Sequence, residues 1–217
     1  MHFSYDSGAP VLNGATLTVH PGERIAIAGP SGGGKSTLLR LLLRLDEPQC
    51  GEIHLGSTPL HDVARSDVHA HMALFSQDSP VFIDTIRNNL RIARPLADDE
   101  ALWEPLSAAR LDSFVATLPD GLDALVGEAG RTLSTGQMRR LCLARTLLSN
   151  APIILLDEPT NALDPPRNWP SSKLWRKPRV AIRSSWSHMP PSSKAPPIAY
   201  WKCGMGGWFR CDAPPIQ

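Results

Sequence analysis

The 217-residue sequence lacks any apolar stretch that approaches the roughly 20 residues of a membrane-spanning helix. Its leucine-rich run LLRLLLRL, at residues 38–45, is interrupted by two arginines. The first ten residues lack the basic and apolar regions of a signal peptide. We therefore expect a protein that is soluble by itself or is attached to a membrane only through a partner.

Cysteine is scarce, and its spacing fits neither a zinc site nor a disulfide framework. The four cysteines are Cys50, Cys142, Cys203 and Cys211. His69 and His71 lie in a segment that favours a β-strand, where residues two apart share one face. Because no third ligand accompanies them, we expect an ordinary strand edge there and not a metal site.

Acidic residues are almost absent from the end of the chain. Residues 165–217 hold nine lysines and arginines but only one acidic residue, so this segment carries +8 while residues 1–164 carry −7. The same 53 residues contain ten of the 21 prolines and five of the six tryptophans. A basic tail of this kind can bind nucleic acid or a membrane, and the change of composition needs an explanation.

Strand and helix patterns alternate before this change. Short apolar runs predict strands at 23–29, 71–77 and 152–157, and helical periodicity predicts helices at 34–45 and 135–149. A mainly helical insert is expected between Asp84 and Leu118, with breaks at Pro95 and Pro105. The alternation indicates an α/β domain with a parallel sheet over residues 1–164. No such pattern continues beyond Asp164, where we expect an incomplete or irregular structure.

The segment GPSGGGKST fits the phosphate-loop pattern G-x-x-x-x-G-K-[ST] between a predicted strand and a predicted helix. Its glycines allow backbone N–H groups to surround phosphate oxygens, and the helix N-terminus adds partial positive charge. Lys35 can reach the β- and γ-phosphates in a catalytic role, and Ser36 can bind Mg²⁺ through its hydroxyl. The predicted nucleotide-binding residues are Gly29, Pro30, Ser31, Gly32, Gly33, Gly34, Lys35, Ser36 and Thr37.

The predicted strand at 152–157 ends in a pair of carboxylates. Asp157 can hold Mg²⁺ beside the phosphates, and Glu158 can polarise the attacking water as a general base. An apolar run that ends in Asp-Glu is weak evidence alone, but it is strong together with a phosphate loop.

Three further segments occur in a fixed order with these two motifs. They are FSQD around Gln77, LSTGQ at 133–137 and NALD at 161–164. The sequence thereby resembles the ATP-binding domain of ABC transporters over residues 1 to about 164. The resemblance implies a P-loop NTPase (RecA-like) fold with a parallel sheet and a helical signature subdomain. It also implies an ATPase that uses ATP and Mg²⁺.

The resemblance assigns roles to individual residues. Tyr5 corresponds to the aromatic side chain that stacks on adenine, although it could be an ordinary strand tyrosine. Gln77 corresponds to the residue that contacts Mg²⁺ and the attacking water and connects them to the membrane half, a metal-binding and catalytic role. Asp164 corresponds to the aspartate in the loop between the two nucleotide sites.

The signature residues Ser134, Gly136 and Gln137 correspond to those that contact ATP bound to a second subunit. A working site therefore needs two such domains. Thr135 departs from the family, which has glycine at that position. Its β-branched side chain either weakens the contact with the γ-phosphate or is tolerated.

Two segments narrow the resemblance to a subfamily. SPVFIDTIRNNLRIARP at 79–95 resembles exporters that fuse a membrane domain to the ATPase. LPDGLDALVGEAGRTLS at 118–134 and RRLCLARTLLS at 139–149 resemble the CydC-type subunit of the heterodimeric cysteine and glutathione exporter needed for cytochrome bd assembly.

This resemblance implies an exporter membrane domain and a related half-transporter ATPase as partners, no nucleic-acid partner, and a position at the cytoplasmic face of the inner membrane. The preceding membrane-spanning helices are expected to be absent from this chain. Two alternatives are a truncated nucleotide-binding remnant that does not hydrolyse ATP, and a soluble ABC ATPase of DNA repair or translation.

The family continues after NALD with a helix and a strand that ends in Thr-His, but here residues 165–217 are rich in proline, tryptophan and arginine. A shift of the reading frame by one nucleotide permits a helix over 166–181, the sequence LVTHAA near 186–191 and a closing hairpin over 193–209. We therefore interpret this tail as out of frame. The segment 179–186 could fill the missing central strand poorly, so we expect a marginal domain that binds ATP better than it hydrolyses it.

Overall fold

The chain forms short strands and helices in alternation. In the computed structural model the described residues are 1–6, 8–76, 78–127 and 133–159, with three further strands at 180–184, 199–204 and 207–208. The strands are β1 (Arg24–Ala28), β2 (His54–Leu55), β3 (Thr58–Pro59), β4 (Met72–Phe75), β5 (Asp84–Thr85), β6 (Leu125–Val126), β7 (Ile153–Asp157), β8 (Val180–Ser184), β9 (Ala199–Gly204) and β10 (Gly207–Trp208).

The helices are α1 (Lys35–Leu42), α2 (Arg65–His71), α3 (Ile86–Arg91), α4 (Asp99–Ala108), α5 (Asp112–Ala116) and α6 (Thr135–Leu148). Short 3₁₀ turns at Leu60–Asp62 and Gly121–Asp123 complete the described elements. None of the described helices has the length and apolar composition needed to cross a membrane.

The described residues form two units. Unit 1 contains residues 1–72 and 151–157 with the strands β8, β9 and β10, and unit 2 contains residues 73–150 and 158–159. Each unit has its own buried apolar side chains, such as Ile27, Leu39 and Leu155 in unit 1 and Leu90, Leu106 and Leu143 in unit 2.

Unit 1 is organised by a largely parallel sheet in the strand order β10-β9-β1-β8-β7. β8 pairs in parallel with β1 on one side and with β7 on the other. In this register Ser184 is the partner of both Ile27 and Asp157. The carboxyl ends of β1 and β7 therefore lie at the same edge of the sheet, separated by β8.

Unit 2 is mainly helical. α6 packs against α3 and α4, and the short strands β5 and β6 pair in an antiparallel ribbon beside α3. Apolar residues from all three helices are fully buried, including Ile86, Leu102 and Leu141. Asn89 of α3 is also buried, and its side-chain amide exchanges hydrogen bonds with the backbone of Phe82.

The structure confirms the predicted parallel α/β arrangement and corrects two details. His69 and His71 lie in helix α2 and not on a strand, so their side chains do not share one face, and the Nδ1 atom of His71 is 2.7 Å from the carbonyl oxygen of Asp67. Pro105 lies inside α4 and does not end it, because packing against α6 outweighs one lost backbone bond. Pro95 does separate α3 from α4, as expected.

The tail contributes more regular structure than the sequence pattern indicated. Three strands lie beyond Asp164. One of them, β8, lies between β1 and β7, the position that the sequence predicts residues 179–186 to fill poorly. The apolar and β-branched residues of VAIRS suit a strand with a neighbour on each side.

We expect Ile182→Pro to destabilise unit 1 because proline removes a backbone donor from a strand that is paired on both sides. The free energy of unfolding, measured by urea denaturation, should fall by about 3 kcal/mol or more. Ile182→Val keeps the donor and the β-branched side chain and is the matched control. Equal stability of the proline and valine variants would show that β8 is not a central strand.

Candidate functional site

The predicted phosphate loop lies between β1 and α1, where the sequence placed it. Gly34 is the residue before the helix and has a left-handed backbone, with φ of 80°. A Cβ atom at this position would come within 2.9 Å of the Leu12 side chain and 3.0 Å of Val11. Backbone conformation and local packing therefore both require glycine at the start of α1.

Lys35 is the buried cation of this loop. Only 7% of the residue is exposed, and its Nζ atom donates to the carbonyl oxygens of Gly29 at 3.0 Å and Pro30 at 2.7 Å. The loop thus holds the ammonium group close to its own backbone. An anion bound in the loop would meet a positive charge that is already removed from bulk water. Electrostatic attraction is stronger in the protein than in water.

The first turn of α1 supplies two hydroxyl groups. Ser36 is exposed and Thr37 is buried. The Thr37 Oγ1 atom lies 3.1 Å from the hydroxyl oxygen of Tyr5, which joins the N-terminal segment to the phosphate loop. The Tyr5 ring meets Phe3 edge to face at a centroid distance of 4.9 Å, and Tyr5 is 45% exposed. One side chain therefore combines a hydroxyl anchored at the loop with an accessible aromatic surface.

An ion pair lies beside Tyr5 that the sequence patterns did not reveal. The Arg40 Nε atom donates to Asp46 Oδ2 at 2.6 Å, and this hydrogen bond lowers the pKa of the Asp46 carboxyl group. Tyr5 contributes to raising the pKa of Arg40, after the larger effect of Asp46. Arg40 is one of the two arginines that interrupt the leucine run, and it lies one helical turn after Ser36 and Thr37. Its position was the sequence signal from which a charged contact beside the phosphate loop could have been predicted.

Asp157 ends β7, as predicted, and is half-buried. Since Asp157 and Ile27 share Ser184 as their partner, they lie in one row across the sheet, two strand spacings or about 10 Å apart. The phosphate loop begins two residues after Ile27. Within unit 1 the structure therefore brings Asp157 to the same sheet edge as the loop, with α1 packed against β7.

Glu158 follows immediately and belongs to unit 2. Its backbone is left-handed, with φ of 47°, which is uncommon for a residue that has a side chain. Such conformations cost roughly 1 kcal/mol or more and concentrate at functional sites. This outlier gives independent support to a functional role for the carboxylate after β7.

The predicted signature forms the start of α6 in unit 2. The Ser134 side chain accepts a hydrogen bond from the backbone of Gln137, and the Gln137 side chain accepts one from the backbone of Ser134, which is a capping box. Gly136 makes little internal contact, because a Cβ atom there would meet only the Ser134 Oγ atom, at 4.0 Å. Thr135 is exposed in the first turn.

Two predicted site residues, Gln77 and Asp164, lie outside the described residues. The neighbours of Gln77 form a turn in which Ser79 donates its backbone N–H to the Ser76 carbonyl at 3.2 Å. The assignments of both residues therefore stay predictions.

The donor chemistry fits a magnesium ion held together with phosphate groups. Within the described ranges no group of three or more histidine, cysteine and acidic side chains could hold a metal by itself. A magnesium site needs few protein ligands when phosphates and water complete its coordination. The Ser36 hydroxyl and the Asp157 carboxylate are hard oxygen ligands of the appropriate kind.

The profile of the ABC transporter family matches residues 12–161. The chain belongs to the ABC transporter family. It is an ATP-binding domain of this family, and the family consists of ATPases.

Curated relatives agree with this assignment. The chain is 43% identical to an ATP-dependent lipid A-core flippase of Chromobacterium violaceum over 163 residues, which are 75% of this chain and 28% of the relative. It is 40% identical to the mitochondrial iron-sulfur clusters transporter ATM1 of Yarrowia lipolytica over 162 residues, 75% of this chain and 23% of the relative. The chain thus spans about a quarter of the length of these relatives.

A solved structure shares the fold. The structure of a bacterial Atm1-family ABC exporter with ATP bound matches 96% of this chain with a TM-score of 0.83 and 33% sequence identity, and the match covers 36% of that exporter chain. The fold and family expected from the sequence are therefore confirmed, whereas neither comparison singles out the CydC-type subfamily.

Proposed function

We propose that this ABC transporter domain binds and hydrolyses ATP to drive export through a membrane domain. The observation that carries the proposal is Lys35, a buried cation held by two backbone carbonyls in a glycine-rich loop at the start of α1. A buried ammonium group in a glycine-rich loop at a helix N-terminus is positioned for an anionic ligand.

The roles of the chain's own residues follow from their positions. Backbone N–H groups of the loop and the N-terminus of α1 bind the phosphates, and Lys35 moves from the loop carbonyls to the β- and γ-phosphate oxygens. Magnesium, when bound, offsets negative charge on these phosphates, with Ser36 and Asp157 as its protein ligands. The exposed ring of Tyr5 stacks on adenine.

Glu158 accepts a proton from the attacking water, which is the general-base role, and Gln77 orients that water. The signature end of α6 completes the active site of a second subunit. Backbone N–H groups at this helix terminus, with Gly136 leaving room for close approach, suit the γ-phosphate of ATP bound there. Asp164 lies in the loop between the two sites. We therefore propose a heterodimer with a related half-transporter ATPase, at the cytoplasmic face of the inner membrane.

We expect Glu158→Gln to lower the ATP hydrolysis rate by about 10²-fold or more while ATP affinity stays nearly unchanged, because the amide cannot accept the proton. The measurements are phosphate release and the binding of a fluorescent ATP analogue, each with and without the partner ATPase domain. Lys35→Ala is the contrasting variant and should lose nucleotide binding.

The wild-type result separates the alternatives. Binding and hydrolysis that both respond to these substitutions support the proposal. Binding without hydrolysis, even with the partner domain, identifies a nucleotide-binding remnant. A wild-type chain that does not bind ATP contradicts the proposal.

We expect Gly136→Ala to change stability and hydrolysis in opposite directions. Alanine stabilises a helix by roughly 0.5–1 kcal/mol relative to glycine, and outside the backbone of its own helix the added Cβ atom meets no described atom closer than the Ser134 Oγ atom, at 4.0 Å. Hydrolysis by the paired domains should nevertheless fall, because the methyl group obstructs the phosphate of the second subunit. Urea denaturation and phosphate release test the two effects, and higher stability with full hydrolysis would contradict the role of the signature.

The transported substrate is a finer proposal. Small thiols, cysteine and glutathione, are supported only by the resemblance of residues 118–134 and 139–149 to the CydC-type subunit. The relatives described above carry names that refer to lipid A-core and to iron-sulfur clusters. ATP-dependent accumulation of labelled glutathione in inverted vesicles that contain the assembled exporter tests this assignment, and its absence would reject it.

We also propose that residues 165–217 are out of frame. The family match ends at residue 161, three residues before the change of composition after Asp164. The nucleotide sequence of codons 160–215, determined independently from the source DNA, tests the proposal. A missing or additional base near codon 165 supports it, and an intact frame rejects it. If the tail is out of frame, restoring the frame should raise ATP turnover relative to this chain.

A further inference from the structure

The segment that follows β4 in unit 2 is held by side chains of two helices. It runs from Asp78 to Ile83 and follows position 77, which lies outside the described residues and where the resemblance places the catalytic glutamine; we call it the glutamine segment. Helix α3 contributes the buried Asn89, whose Oδ1 accepts from the Phe82 N–H at 2.9 Å and whose Nδ2 donates to the Phe82 carbonyl at 2.9 Å. The backbone at Phe82 is therefore fixed from one side.

Helix α6 holds the same segment through its third turn. The Arg145 Nη2 atom donates to the Pro80 carbonyl at 2.9 Å, and its guanidinium carbon lies 5.4 Å from the centroid of the Phe82 ring. This arrangement combines a charge-assisted hydrogen bond with a cation–π contact.

Cys142 adds a second contact from the same helix. Its Sγ atom lies 3.2 Å from the Ser79 carbonyl oxygen, in the geometry of a weak S–H donor. Burial raises the pKa of the Cys142 thiol, which keeps it protonated at neutral pH and able to donate. The Thr146 hydroxyl, one turn further, donates to the Cys142 carbonyl at 3.0 Å and lies 3.4 Å from the carbonyl of Leu74 in β4, the strand that precedes the segment.

We propose that Arg145, supported by Cys142, is a positioning residue that ties the glutamine segment Asp78–Ile83 to the signature helix. Ser134 caps α6 and Gly136 lies in its first turn, so one helix carries the signature at one end and holds the glutamine segment near the other. A movement of the signature is then transmitted to the glutamine segment and to the exposed side chains of Phe82 and Ile83.

This inference rests on the proposed ATPase function for its catalytic consequence, but the tether itself can be measured without nucleotide. In the full chain, hydrogen exchange of backbone amides at residues 78–83 should become about tenfold faster in Arg145→Ala, since local opening loses two interactions. Exchange in β1 of unit 1 should not change. Arg139→Ala, on the same helix, is the matched control and should leave both regions unchanged.

Thiol labelling gives a second readout. Cys142 is buried and Cys50 is exposed, so Cys50 serves as an internal reference for the reagent. Arg145→Ala should accelerate labelling of Cys142 severalfold, quantified by mass spectrometry of the separate peptides, and leave Cys50 unchanged. Unchanged exchange and unchanged labelling in Arg145→Ala would overturn the proposal.

The expected catalytic consequence of losing Arg145 is a lower kcat with a nearly unchanged KM. Because Arg145 is remote in sequence from the phosphate loop and lies in the other unit, its loss should lower kcat for ATP about tenfold and change KM less than about twofold. Arg145→Lys keeps the charge and a donor for the Pro80 carbonyl but loses the planar stack, so it should restore part of kcat. Equal kcat in wild type and Arg145→Ala would overturn the positioning role.

Two outcomes keep this inference distinct from the proposed function. If Arg145→Ala does not fold, Arg145→Lys and Phe82→Leu carry the same comparison, because each weakens the Arg145–Phe82 contact with a smaller loss of side-chain volume than alanine at the same position. If the wild-type chain fails to bind ATP, the proposed function is rejected, and exchange and labelling still decide whether the tether exists.

Discussion

The pairing of β8 with both β1 and β7 is the constraint on which the phosphate site of unit 1 depends. The two strands that deliver the functional residues do not touch each other, because β8 lies between them. Their separation is therefore set by two strand spacings, about 10 Å, and their common direction is set by two parallel registers. Asp157 reaches the edge occupied by the phosphate loop only if the central strand is present and in this register.

The loop itself depends on its backbone more than on its side chains. Gly34 has a conformation and a set of close neighbours that exclude a Cβ atom, and Lys35 is neutralised in part by the carbonyl dipoles of Gly29 and Pro30. When an anion arrives, the Lys35 ammonium group exchanges these carbonyls for the anion's oxygens, while the turn at Gly34 is already formed. That preorganisation reduces the entropy cost of binding.

The elements with strong local signals could be predicted from the sequence. β1, β7, α1 and α6 had clear apolar patterns, and the phosphate loop needed only its own residue spacing and its position between a strand and a helix. The structure differs from the sequence prediction where tertiary contacts determine the local conformation. The apolar residues of β4 predicted a strand that also included His69 and His71. In the structure α2 ends at His71, and β4 begins at the next residue. The cation–π contact of Arg145 has no signature in local sequence, because Phe82 is remote from it along the chain.

The tail shows the limit of pattern reading most clearly. VAIRS is only five residues long, lies among prolines and carries no periodicity that distinguishes it from an irregular segment. The position of this segment in the sheet follows instead from its two neighbours. β1 and β7 each present backbone donors and acceptors that must be paired. A short apolar segment of adequate β propensity can satisfy that requirement without resembling the family strand.

The residues proposed for nucleotide binding and those proposed for hydrolysis fall mainly in different units. The phosphate loop, Tyr5 and Asp157 belong to unit 1, whereas Glu158 and the signature belong to unit 2. The boundary falls between two consecutive residues, and Glu158 takes its left-handed backbone immediately after it. Under the proposed roles, we expect a change that disturbs β8 to act first on nucleotide binding, through the sheet of unit 1. We expect a change in α6 to act on hydrolysis through the signature and the segment that α6 holds, so a comparison of ATP affinity with turnover should distinguish the two kinds of damage.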